Sequence, residues 1–203
     1  MDYTGTPYSD ARWPGGPQSI PGRVMCAYYD AGGEGTAYHD KDGVNHGSGE
    51  LNPVDGSYLH SFRMDEGVST TYVKFFDEID NSPYNVVLPE EHMLYVGWTE
   101  PGDWVRYSVN VAQTGTYTVS LLYTSHEGGK ISLSVDGRDA TGPLEITSTY
   151  RDDDPLDWRQ WHHWNKAEIT KVDLTAGTHV LTLHTVENGN MNYAYLEFTT
   201  VSP

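Results

Sequence analysis

The chain has 203 residues, with 12 Lys and Arg against 29 Asp and Glu, and a formal net charge of −17. Such an acidic surface excludes a binder of phosphate backbones and an anchor on anionic membranes, and leaves a neutral or cationic partner. The length suits one all-β domain with a sizeable core.

Residues 1–22 hold many Pro and Gly with little periodicity, which predicts an extended arm or linker, with the fold beginning at Arg23. The first ten residues have neither a basic region nor an apolar segment, so no signal peptide is read there. Residues 23–30 suit a first strand, and Gly32, Gly33 and Gly35 then place Glu34 in a loop. Cys26 is the single cysteine, so an intramolecular disulfide is excluded. Residues 38–63 are loop-like and suit a binding rim. The β-branched and aromatic run 70–76 suits a strand, and 77–93 is a polar excursion from the sheet.

Residues 95–123 dominate the pattern. Val105, Tyr107, Val109 and Val111 alternate with Arg106, Ser108 and Asn110, and after a Thr114-Gly115 turn Tyr117, Val119, Leu121 and Tyr123 restart the rhythm. This predicts an antiparallel hairpin with one face on a core. Upstream, Trp98 and Trp104 flank a Pro101-Gly102 turn, as expected at a sandwich corner. Further strands are expected at 131–135, 180–186 and 193–198, and the aromatics are densest at 158–164. Neither a long 3.6-residue period nor an internal repeat is visible. The fold class is therefore all-β, a β-sandwich or jelly roll with long loop insertions.

Sugar rings present C–H patches that stack on aromatic faces, while their hydroxyls call for planar polar partners. Trp158, Gln160, Trp161 and Asn192 supply both. Strand alternation would point Trp158 and Trp161 to opposite faces, with Trp158 outward because it follows a polar loop.

Several stretches together resemble family 6 carbohydrate-binding modules: 23–40 with its Gly-Gly-Glu-Gly loop, 96–104, 112–118, Trp158-Arg159-Gln160-Trp161, 174–181 and 192–198. Residues 43–60, 69–94 and 148–157 are longer than is usual in that family. The resemblance implies a non-catalytic β-jelly-roll that binds a polysaccharide or oligosaccharide, secreted, and often an accessory module of a larger glycoside hydrolase. Carried onto this sequence, its loop-end cleft would use Trp158 or Trp161, Asn192 and Glu34, with Phe62 as the second ring and Tyr58 as its substitute. The family's structural calcium would fall at Met25, Ala27 and Ala194, which offer a thioether and two methyls where calcium needs hard oxygens. The ion is therefore expected to be weakly held or absent.

Two other readings stay open at this level. One is a small glycoside hydrolase using carboxylates in the same cleft, with Asp65, Glu66, Glu100 and Asp103 as candidates. The other is an adhesion domain whose cleft is filled by the insertions. Nine His allow a transition-metal site, with His39, His46 and His60 in one loop-rich region, but no short-spaced ligand motif appears.

Overall fold

The computed structural model describes residues 3–201. Its strands in chain order are β1 (Gln18–Ile20), β2 (Gly22–Met25), β3 (Tyr38–His39), β4 (Thr70–Tyr72), β5 (Leu94–Val96), β6 (Trp104–Val111), β7 (Gly115–Ser125), β8 (Gly129–Val135), β9 (Arg138–Asp139), β10 (Leu144–Ile146), β11 (Asn165–Leu174), β12 (Gly177–Glu187) and β13 (Met191–Thr200). A single helical turn, α1 (Tyr58–Ser61), interrupts the long loop before β4. One sheet runs β1-β6-β12-β8-β10, with β3 on β6 and β9 on β8; the other runs β11-β7-β13-β5-β4, with β2 on β13. The chain is thus the all-β sandwich that its alternation called for.

The hairpin expected between β6 and β7 does not form. β6 pairs with β12, β7 pairs with β11 and β13, and the turn between them crosses from one sheet to the other. Tyr107, Val109 and Val111 meet Tyr117, Val119, Leu121 and Tyr123 within one core cluster between the sheets. Alternation marks an inward face but cannot distinguish a hydrogen-bonded neighbour from a strand facing it across a core.

Residues 3–22 follow an extended path, but they are docked on the sandwich rather than held apart as an arm. β1 pairs in parallel with β6, matching Gln18 to Val109 and Ile20 to Val111, and Thr6 pairs with Ala31. Trp13 stacks on Tyr28 at 4.1 Å. The Gln18 amide accepts from Met25 N at 2.7 Å and donates to Met25 O at 3.3 Å. Three residues are too few for a period-2 signal to stand out among prolines and glycines.

The outer face of the second sheet is not left to solvent. Val73 and Met93, at the two ends of the insertion after β4, join Tyr95, Leu122, Trp164, Ala194 and Tyr195 in a second apolar cluster. The insertion is fastened through Asp80, whose fully buried carboxylate accepts from Trp164 Nε1 at 2.7 Å and from Lys74 N at 2.7 Å. A sheet covered on both faces can hold buried residues at consecutive positions, which is why β13 is buried from Met191 through Leu196.

Candidate glycan cleft

The loop before β6, the 3-10 turn Asp157–Trp161 and the loop before β13 meet at one end of the sandwich. They enclose an open cleft of about 810 Å³ lined by Leu51, Tyr95, Trp98, Trp158, Trp161, His162, Asn190 and Asn192. Trp158 is 48% exposed, and Trp98 and Trp161 are each 37% exposed. Three large rings facing water at one place is the unusual feature, since scattered exposed apolar side chains are ordinary.

Trp158 and Trp161 do not point to opposite faces. They lie on a 3-10 turn, Asp157–Trp161, and side chains three residues apart on such a turn eclipse. Both rings therefore line the same cleft, while Arg159 and Gln160 between them turn inward. Arg159 makes a two-pronged contact with Asp154, Nε to Oδ2 at 2.7 Å and Nη2 to Oδ1 at 2.9 Å. His163 Nε2 lies 2.8 Å from Asp154 Oδ2. Hydrogen bonding from Arg159, above all, holds the Asp154 carboxyl well below the usual carboxylate range. Gln160 clips the turn to Arg151, donating to its carbonyl at 2.8 Å and accepting from its N–H at 3.0 Å.

Asn192 is a fastener as well as a lining residue. Its Nδ2 donates to Thr124 Oγ1 at 2.9 Å and to the Trp161 carbonyl at 2.8 Å. With both amide hydrogens engaged, the amide oxygen is what remains for a ligand hydroxyl. That oxygen explains Gly97, where an added Cβ would come within 2.6 Å of it.

Trp98, read from the sequence as a corner residue, is the third ring of the cleft. Its φ of +50° lies in the left-handed region, uncommon for a large side chain, and aims the indole outward from the end of β5. The next residue ties it to the far wall: Thr99 O accepts from Asn190 N at 2.6 Å, and Thr99 Oγ1 donates to Met191 O at 3.0 Å. The insertion 43–60 adds Leu51 and brings the His46 ring 6.4 Å from Trp98. The sequence signal for Trp98 was its place with Trp104 about the Pro101-Gly102 turn; the pairing of Val96 with Tyr193, which sets it beside Asn192, was invisible.

The other residues expected in the cleft lie elsewhere. Phe62, 3% exposed, is packed edge-on by Tyr8, Tyr28 and Tyr58 at 5.3 to 5.5 Å and offers no face to a ligand. Tyr58 is half-buried in the same cluster, and its hydroxyl donates to Asp10 at 2.8 Å. The docked N-terminal residues therefore cover the ring that the resemblance assigned to stacking. Glu34 is exposed and outside the cleft lining. Its Oε1 lies 2.5 Å from His39 Nδ1, and its Oε2 accepts from Asp40 N at 3.1 Å.

Beside that pair, Asp40 and Asp103 border a separate small cavity between the sheets. Burial, with Asp42 and Asp103 nearby, pushes the Asp40 carboxyl up to about 7. The folded state therefore holds this proton to higher pH than the unfolded chain, whose Asp titrates near about 3.9. The contribution of Asp40 is most favourable below that value and diminishes as pH rises to about 7. Asp40→Asn is accordingly expected to raise the melting temperature at pH 8 and not at pH 4. Solvent screening of this half-exposed group limits the gain to about 1 kcal/mol, or roughly 2–4 °C. Thermal melts of both proteins at the two pH values check it.

The calcium position of the resemblance is filled by hydrocarbon. Ala27 and Ala194 are fully buried, and Met25 packs against the cluster containing Val73, Met93 and Trp164. These residues do not fit a hard cation that needs six to eight oxygens. Melting in excess calcium and in excess chelator is expected to give one and the same Tm; a calcium-dependent rise would contradict this. His39, His46 and His60 do not converge, each facing its own carboxylate, Glu34, Asp42 with Glu50, and Asp55. Among the described residues no three His, Cys, Asp or Glu side chains are grouped to hold a metal.

The two-sheet architecture is that of carbohydrate-binding β-sandwich modules. A β-1,3-glucan-binding family 6 module from Bacillus halodurans superposes with a TM-score of 0.53 at 16% identity, over 91% of this chain and 100% of that one. A module of a Cellvibrio mixtus lichenase in complex with cellotriose gives 0.47 at 20% identity, over 67% and 88%. A family 35 module from Clostridium thermocellum gives 0.45 at 21%, over 58% and 84%. Within this class the chain belongs to carbohydrate-binding module family 6, whose model matches residues 84–202. No curated protein sequence matches the chain.

Proposed function

We propose that the cleft of Trp98, Trp158 and Trp161 binds an uncharged polysaccharide without cleaving it. The observation that carries this reading is the convergence of three exposed indoles with Asn190 and Asn192 at one loop end of a family 6 sandwich. The rings supply stacking faces for sugar C–H surfaces, and the amides orient hydroxyls. Neither Lys nor Arg lines the cleft, so a uronate or sulfated sugar would find no countercharge. Hydrolysis would need two carboxylates flanking the bond, and none of Asp65, Glu66, Glu100 and Asp103 is among the residues lining the cleft. Glu66 pairs with Arg63 at 2.8 Å and Glu100 with Lys41 at 3.2 Å. Asp103 accepts from the Lys41 and Glu100 backbone N–H groups. The bound glycans named for the Bacillus and Cellvibrio modules make β-linked glucans the first to try. A secreted location, and service as an accessory module of a larger glycoside hydrolase, belong to the same proposal.

Affinity electrophoresis against β-1,3-glucan, mixed-linkage glucan, xylan, galactan and a polyuronate tests it, with reducing-sugar release followed in the same mixtures. Retardation on a neutral glycan with no products is the expected result. Retardation only on the polyuronate, or release of sugars, would overturn it.

A further inference from the structure

We infer that this binding surface continues past Trp161 as a groove that takes the interior of a neutral polysaccharide chain rather than its terminus; the inference rests on reading the tryptophan cleft as a glycan site. Trp161 also borders a second, smaller depression, together with His126, Glu127, Asn188, Gly189 and Asn190. Trp161 and Asn190 line both spaces, so the two are neighbours on one surface. A site for a chain end is closed by a wall whose polar groups take up the terminal hydroxyls. Here the surface beyond Trp161 goes on instead, with Glu127, Asn188 and Asn190 exposed and His126 half-exposed.

The extension is built as a platform. The His126 ring stacks face to face on Trp161, with centroids 4.6 Å apart and planes 16° apart, and so braces the indole from one side. Residues 188–190 are all left-handed, with φ of 67°, 73° and 49°. A Cβ at Gly189 would strike the Thr99 carbonyl, and Asn190 N donates to that same carbonyl at 2.6 Å. The turn is therefore fixed before any ligand arrives, so that presenting Asn188 and Asn190 costs little further ordering. Asn188 Nδ2 donates to Gly128 O at 3.2 Å, leaving its amide oxygen for a hydroxyl. Glu127 offers two more acceptors and repels an anionic sugar. Neither Lys nor Arg lines this depression either.

Titration calorimetry with β-1,3-gluco- and cello-oligosaccharides from trimer to hexamer, and with the parent polysaccharides, tests the inference. Affinity is expected to rise about tenfold from trimer to hexamer in the series that binds, equivalent to roughly 1.4 kcal/mol. On polymer, the number of modules bound is expected to scale with chain length, not with the number of chain ends. In the variant Glu127→Ala with Asn188→Gly, chosen because glycine keeps the left-handed backbone, hexamer affinity is expected to fall to about that of the trimer. Its melting curve establishes that it is folded. Saturation of affinity at the trimer, or one module per chain end whatever the length, would overturn the groove while leaving glycan binding intact. Failure of every oligosaccharide and polysaccharide to bind would instead remove the functional reading beneath it.

Discussion

Trp161→Ala is expected to weaken polysaccharide binding by roughly 30-fold or more, the effect of removing an aromatic anchor worth about 2 kcal/mol at the centre of an interface. Its ring is shared by the main cleft and the depression beyond it. The backbone around it is held independently of the ring, since its carbonyl accepts from Thr124 Oγ1 at 2.7 Å and Asn192 Nδ2 at 2.8 Å. The substitution therefore removes a stacking face and leaves the turn in place. Trp104→Ala is the matched control: that indole lies outside the cleft, with the Arg106 guanidinium 4.2 Å over its ring. Calorimetric titration of both variants checks the contrast, and equal affinities in the two would contradict the placement of the site.

Asp154→Asn should be the most costly single change to the support of the cleft. The Asp154 side chain is fully shielded, and that of Arg159 is 6% exposed, so the substitution leaves a buried guanidinium without its counterion. Glu78, 3.6 Å away and largely exposed, is a poor substitute. Breaking a buried pair from one side costs on the order of 3 kcal/mol, or a Tm lower by roughly 6–12 °C in a domain of this size. Because the folded-state pKa is depressed, the wild-type stabilisation is fully present above the unfolded value near about 4 and is lost as pH falls further. The stability gap between the proteins is thus expected to be widest at neutral pH and to narrow in acid. Binding should weaken alongside, since the turn presenting Trp158 and Trp161 is tied down through Arg159. Melts at pH 7 and pH 3 measure it, and an unchanged Tm at neutral pH would show that the pair contributes nothing.

The legible part of this protein was the part governed by short-range pattern. β8, β12 and β13 fall where strands were expected, and the order of motifs from 23–40 to 192–198 carried the resemblance to the family whose model matches residues 84–202. What was not legible depends on which segment covers which. Phe62 occupies the position expected of a stacking ring, but residues 3–22 lie over it, and nothing in 62 or its neighbours announces that Tyr8 will pack there. Trp158 and Trp161 were separated by assuming a period of two, whereas the local backbone takes a period of three. Trp98 and Asn190 meet through Thr99 across 91 residues of sequence, a contact set by the antiparallel register of β5 and β13. Met25, Ala27 and Ala194 were legible as poor calcium ligands; that Val73, Met93 and Trp164 pack with Met25 and Ala194 while Ala27 joins Phe62, Tyr72 and Leu94 was not.

The measurement that bears most directly on the site is a two-dimensional NMR titration of the six indole N–H signals with a neutral β-glucan oligosaccharide. Trp13, Trp104 and Trp164 stand outside the cleft, and Trp98, Trp158 and Trp161 line it. Shifts confined to the latter three, saturating together, are the expected result. Saturating shifts at Trp13 or Trp104, with Trp158 and Trp161 unmoved, would contradict it and place glycan recognition on another face of the sandwich.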